Sequence, residues 1–471
     1  MTSTLLKFPR LNAPKLHQLP NGLTIIAEQM AVEAVNLNLW VNVGSAAEAD
    51  AINGMAHFLE HMIFKGTDRL ISGEFERRIE ERGAVTNAAT SHDYTHYYIT
   101  TAPKDFAELA QLQIDVVTNA SIPDDAFERE RLVVLEEIRR SEDNPRRRTY
   151  RRAMETAFER LPYRRPVLGP EEVISQLRPQ QMRDFHATWY QPQSITAVAV
   201  GNLPVEELIE IVADGFTQTN NHQPPTTNPP GSQSHPAGSR PAGVYMGGTT
   251  PGATTLGTPA THWLPKTALA HKQQPTINPE PPFIEIIRHE CVDESLQQAR
   301  LVMVWRVPGL DQLNETYALD ILAAILGHGW TSRLVRDLRE EQGLVSHISV
   351  SNMTHKLQGT FYISVHCPVE NIAAVEEAIA QHIRRLQTEI VKASEIDRVC
   401  KRVANRFIFG NETPSDRAGL YGYYQTLVGD LEPAFDYPNH IQAQDVNDLM
   451  QAAQKYLSPD AYGVVVLKPH S

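Results

Sequence analysis

The sequence predicts an α+β protein made of two divergent copies of one layered fold, joined by a linker. Strand patterns and amphipathic helices interleave from residue 20 to 216, with antiparallel hairpins among them. The same order of strand, helix, hairpin and long helices restarts after residue 283. Between them the composition changes to runs such as Gln223-Pro224-Pro225-Thr226-Thr227 and Gly247-Gly248-Thr249-Thr250-Pro251, which cannot build a core. The expected parts are therefore residues 1–216, a linker without fixed structure over 217–282, and residues 283–471. A chain of 471 residues is long enough for several such cores.

In order, residues 14–48 read as two strands. Asn21-Gly22 turns the chain into Leu23–Ala27, and Val35–Val43 alternates Leu37, Leu39 and Val41 against Asn38 and Trp40. Glu48–Asn53 is a polar bridge, and a helix is expected over 54–65, closed by Gly66-Thr67. Phe75–Arg82 is a short amphipathic helix stopped by Gly83. Ala84–Thr90 and Tyr94–Thr101 form a hairpin around Ser91-His92-Asp93. Phe106–Asn119 is a helix, and Pro123-Asp124-Asp125 opens another over Ala126–Ser141. The arginine-dense stretch Arg139–Arg165 reads as a solvated helical face, because acids are interspersed. After the Pro166–Gly169 turn, Glu171–Tyr190 contains helix, Ser194–Val200 is an apolar strand and Val205–Phe216 a helix. In the second copy, Ala299–Pro308 is a strand and Glu315–Leu326 a helix. Val345–Ser351 and Gly359–Cys367 pair, and helices follow over Val369–Leu386 and Ser394–Phe409.

Chemistry concentrates in His57-Phe58-Leu59-Glu60-His61. On a helix His57 and His61 stand one turn apart on one face, so two imidazoles can grip one metal ion. Glu60 carries its carboxylate toward the same spot. Nitrogen ligands beside an acid are the kit of a zinc hydrolase, here in H-x-x-E-H order. In the later helix, Phe127, Val134 and Ile138 mark the apolar side, and Glu130 and Glu137 share nearly one azimuth at its edge. Acids flanking an inward face are costly unless a cation meets them, so Glu130 and Glu137 are the acids expected to reach the metal, the alternative being an acid-rich solvated helix. Glu136 falls on the opposite side. His92 and His96 are candidate ligands too, but strand spacing assigns them a surface or cross-strand role.

Composition excludes several classes. The net charge of −13 argues against nucleic-acid binding and is compatible with a cationic or unfolded polypeptide partner. No apolar run reaches the roughly 18–20 residues a membrane span needs. The start lacks a signal-peptide core. Cys291, Cys367 and Cys400 suggest neither disulfides nor a cysteine metal site, so a cytoplasmic location is expected.

Taken together, His57-Phe58-Leu59-Glu60-His61-Met62, Phe64-Lys65-Gly66-Thr67, Asn87-Ala88, Glu128-Arg129-Glu130-Arg131 and Val134-Leu135-Glu136-Glu137-Ile138 resemble the inverzincin peptidases. These include pitrilysin, insulin-degrading enzyme and the mitochondrial processing peptidase. Pro166–Gly169, Ser332-Arg333-Leu334, Leu338-Arg339-Glu340 and Gly343-Leu344 extend the resemblance, and the plan is closest to bacterial relatives of the processing peptidase. The resemblance implies a zinc-dependent endopeptidase. Zn²⁺ would be held by His57, His61 and Glu137, Glu60 would be the general base, and Glu130 the accessory acid. Residues 1–216 become the catalytic domain and 283–471 a homologous non-catalytic one. Peptide substrate would add as a strand beside Asn87 and Ala88, within a chamber often built by two subunits, as a homodimer or a heterodimer with a related chain. There is one departure. Relatives often carry a substrate-holding Tyr after Gly343-Leu344, paired with an Arg, whereas this chain has Val345-Ser346-His347. The rival expectation is a non-catalytic subunit of a two-chain assembly.

Overall fold

The computed structural model describes residues 13–220 and 278–470. Most of the expected linker, 221–277, lies outside the described residues. Where 217–282 is described it is not linker-like: a helix runs through Asn220, and Glu280 is buried. The Glu280 carboxylate accepts backbone N–H bonds from Glu159, Arg160 and Leu161.

The strands of the first half are β1 (Lys15–Gln18), β2 (Thr24–Gln29), β3 (Val35–Val41), β4 (Val85–Thr90), β5 (Thr95–Thr101) and β6 (Ile195–Gly201). They form one sheet in the order β1-β2-β6-β3-β5-β4. Its helices are α1 (Met55–Ile63), α2 (Glu74–Glu81), α3 (Phe106–Thr118), α4 (Asp124–Asp143), α5 (Pro145–Ala157), α6 (Glu171–Ile174), α7 (Pro179–Trp189) and α8 (Val205–Asn220). The second half contributes β7 (Ile287–Val292), β8 (Ala299–Pro308), β9 (His347–Met353), β10 (Gln358–Cys367) and β11 (Gly463–Lys468), in the order β7-β11-β8-β10-β9. Its helices are α9 (Thr316–Gly327), α10 (Ile372–Thr388), α11 (Ala393–Phe409), α12 (Pro414–Leu427), α13 (Glu432–Ala443) and α14 (Val446–Tyr456). The segment after Ser332-Arg333-Leu334 is a π-helical turn, Val335–Glu341.

The two sheets share one topology. In each, the parallel pair (β2 with β6, β7 with β11) adjoins an antiparallel run that ends in a hairpin edge. The halves are thus copies of one α+β fold. Leu37, Leu39 and Val41 face the first core, alongside Phe58, Phe106 and Phe127. The opposite face is buried too, because α12 from the second half lies on it. Trp40, Val198 and Val200 pack there with Ala418 and Tyr421. The approach is close: a Cβ on Gly422 would fall 2.0 Å from Trp40 Nε1.

The reciprocal contact corrects the reading of Arg139–Arg165. In α5, Ala153 packs on Val302 and Val465, and Met154 on Val304, so one face is buried on the second sheet rather than solvated. Arg148 pairs with Asp293. Each half therefore lends a helix to the other's sheet.

Candidate metal centre

The centre forms where α1 crosses α4. Phe58 stacks on Phe127 with ring centroids 4.5 Å apart, and Met62, Val134 and Ile138 fill the same core. That apolar seam turns the polar edges of both helices toward each other, as the helical winding required.

The start of α1 is held from outside the helix. Glu48, 4% exposed, accepts from the backbone N–H groups of Gly54 and Ala56, each at 2.7 Å, and from Asn53 Nδ2 at 2.9 Å. It thereby satisfies donors that a helix leaves open at its first turn. The expected polar bridge Glu48–Asn53 is exposed in its middle, but its ends, Glu48 and Asn53, are buried and cap the helix. Gly54, at φ +95°, starts the helix against the Pro166–Gly169 turn, and a Cβ there would lie 2.6 Å from the Leu168 carbonyl oxygen.

His57 Nε2 and His61 Nε2 each lie 3.5 Å from Glu137 Oε2. The three donor atoms are all within 4.8 Å of one another. A tetrahedral ion with bonds of about 2.0–2.1 Å sets its donors roughly 3.4 Å apart, so this set fits a zinc-sized cation. Glu130 sits behind it: its Oε1 is 3.0 Å from His61 Nδ1 and its Oε2 2.7 Å from Lys65 Nζ. Glu60 accepts a 2.5 Å hydrogen bond from Thr90 Oγ1, at the end of β4.

The electrostatics follow from this crowding. Burial, reinforced by His61, pushes the His57 imidazole down to about 4. Burial opposes charge on His61 as well, but Glu130 and Glu137 outweigh it and lift His61 to about 9. The His61 contact holds the Glu137 carboxyl low. Burial raises the Glu60 carboxyl. Carboxylates and imidazoles drawn together, His57 buried and the others half-buried, are an arrangement that a divalent cation relieves.

The other expected positions are also located. Asn87 and Ala88 lie on β4, which among the described residues is an edge strand paired with β5 alone. Asn87 is exposed and Ala88 half-buried. His92 and His96 do not join the centre. His92 is buried, its Nε2 3.2 Å from the Arg165 carbonyl, rather than at the surface. His96 stacks on Trp40, its cross-strand neighbour, at 4.4 Å. Glu136 pairs with Arg140 away from the site. Glu48, Thr90 and Lys65 are the contributors that the sequence reading missed.

Comparison with known proteins adds the following. The profile described as "Insulinase (Peptidase family M16)" matches residues 24–171, and the one described as "Peptidase M16 inactive domain" matches residues 176–403. Zinc protease PqqE of Helicobacter pylori is 26% identical over 96% of this chain and 92% of its own length. An uncharacterized zinc protease of Mycobacterium tuberculosis is 26% identical over 97% and 94%. The mitochondrial-processing peptidase subunit beta of Bos taurus is 33% identical over 44% of this chain and 43% of its own. Among solved structures, a protease from Helicobacter pylori superposes with a TM-score of 0.81 at 24% identity, covering 98% of this chain and all of that one.

Proposed function

Because this chain belongs to peptidase family M16, we propose that it is a zinc-dependent endopeptidase acting on peptides or unfolded segments. The observation that carries the reading is the convergence of His57, His61 and Glu137 at zinc-ligand spacing. When bound there, zinc would supply Lewis-acid activation of a water molecule, whose pKa such sites draw from about 15.7 toward 7.

The chain's own groups do the rest. Glu60 takes the proton from the water and returns it to the leaving amine. Thr90 steadies the Glu60 carboxylate, so the base is oriented by the strand beside which substrate is to lie. Glu130 engages His61 Nδ1, which leaves Nε2 for the metal, and Lys65 balances the Glu130 charge. The free edge of β4 at Asn87 and Ala88 offers backbone groups to an extended peptide. The "inactive domain" description covers residues 176–403, which contain none of His57, Glu60, His61, Glu130 or Glu137.

The experiment is cleavage of a quenched peptide by the purified chain and by Glu60→Gln. Glu60→Gln is expected to keep its metal and lose at least a hundredfold in rate, as loss of a general base does. Unchanged cleavage would remove Glu60 as the base.

One feature favours a two-chain form of this function. Ser346 and His347 stand exposed where relatives often carry a substrate-holding Tyr. In this reading a related partner supplies that group, and adding it raises the cleavage rate. Full activity of the chain alone, with no gain from any partner, would exclude the two-chain form.

A further inference from the structure

The second sheet carries a row of arginine and histidine side chains that the proposed chemistry does not use. Arg300 on β8, His366 on β10 and His347 on β9 stand opposite one another across three neighbouring strands. Their chain neighbours Leu301, Val365 and Ile348 are buried in the second core, so the row projects from the other face, the one that α5 covers. Arg300 Nη1 donates to His366 Nε2 at 2.9 Å, and the His366 and His347 rings are 5.0 Å apart.

More positive charge surrounds it. Arg146, in the first turn of α5, bears on Arg300, His347 and His366, and Arg339 bears on His347. Of the nearby acids, Asp293 pairs with Arg148 and Ser295 and bears on Arg300 only from a distance, and Glu340 pairs with Arg339 at 2.7 Å. Among the described residues neither Arg300 nor Arg146 has a carboxylate at ion-pair distance. Burial and the Arg300 charge push His366 down to about 4, so the closest partner of Arg300 is a neutral ring. Arg300 therefore carries the charge of the row, and its guanidinium fork has further N–H donors besides the one that His366 accepts, a geometry suited to a carboxylate. Arg147, the residue after Arg146, bears on Glu137 of the proposed metal set.

We infer that Arg300, with His366, His347 and Arg146, binds a carboxylate of the peptide substrate, either an acidic side chain or the chain's own C-terminus. The inference takes the peptidase reading as its premise. It runs against the bulk field, because a net charge of −13 repels acidic peptides in general. A preference for them therefore has to come from a local site.

The test is peptide binding to the full chain carrying Glu60→Gln, read by fluorescence anisotropy without turnover. Three peptides with a neutral dye separate the sources: a glutamate-rich peptide amide, its glutamine counterpart as an amide, and the glutamine counterpart with a free C-terminus. One or both of the carboxylate-bearing peptides is expected to bind roughly tenfold tighter than the neutral amide. Arg300→Gln is expected to abolish the difference. Arg146→Gln, on an exposed helix turn, is expected to reduce it and serves if Arg300→Gln does not fold. Equal binding of all three peptides, or a preference that survives both substitutions, overturns the proposal. If the natural chain cleaves no peptide while the preference and its loss remain, the peptidase reading fails and the carboxylate site stands.

Discussion

His57, His61 and Glu137 were legible because helical periodicity fixes which side chains share a face before any partner is known. Two imidazoles four residues apart must lie together, and Glu137 must sit at the edge of the apolar side defined by Val134 and Ile138. Glu48 and Thr90 were not legible in the same way. Glu48 reads as one acid among several in a polar stretch, and only the folded chain returns its carboxylate to the start of α1. Thr90 reaches Glu60 from a strand 30 residues on in sequence. Their value is tertiary, and no local spacing encodes it. The role of Glu130 can be measured at this scale. Glu130→Gln removes the charge that orients His61 but leaves the three ligands in place, so zinc affinity should fall about 10–100-fold without vanishing. Competition against a fluorescent chelator measures it, and an unchanged affinity would remove Glu130 from the metal's support.

Among the elements, strands were read nearly to the residue, β8 as a continuous apolar run and the β4–β5 hairpin by its alternation. The exchange of α5 and α12 was not. The polar, arginine-dense α5 buries only a narrow stripe, including Ala153 and Met154, and α12 has only weak amphipathic contrast. Neither pattern says which half's sheet receives it. The exchange carries a buried lock: Glu28 on β2, 3% exposed, pairs with Arg417 and accepts from Tyr421 at 2.7 Å. Arg417→Met strands that carboxylate and should cost about 3–5 kcal/mol, whereas Arg417→Met with Glu28→Gln should cost clearly less. Denaturant unfolding monitored by tryptophan fluorescence decides it, and equal losses would deny the lock. The hairpin turns of the two halves also meet at His92 and His355, with ring centroids 5.3 Å apart, beside Tyr163, Asp93 and Arg165. Burial pushes His92 down to about 4 and His355, also facing His92, to about 3. In the unfolded chain both titrate near 6.5. The unfolded state thus binds protons that the folded state refuses between those values. Stability from these rings is complete above about pH 6.5 and is lost as pH falls toward 4. His92→Gln should flatten that slope in a melting-temperature series. An unaltered slope would contradict the assignment.

For the whole molecule, one topology used twice and only one copy bearing His57, His61 and Glu137 makes the design asymmetric. The first half holds the proposed metal residues, and the second half buries the outer face of the first half's sheet with α12 and presents a row of arginine and histidine. The two-copy plan was visible in the repeated element order. β7, β11 and the three helices from residue 414 on were not read, although β11 is a buried apolar run and α14 is amphipathic. The central claim is that His57, His61 and Glu137 together hold one zinc ion. Metal analysis of the purified chain and of Glu137→Gln, after the same dialysis against a weak chelator, tests it most directly. The account predicts about one zinc per natural chain and almost none in the variant, with both folded by circular dichroism. Zinc retained equally by the two, or absent from the natural chain after zinc loading, would contradict it.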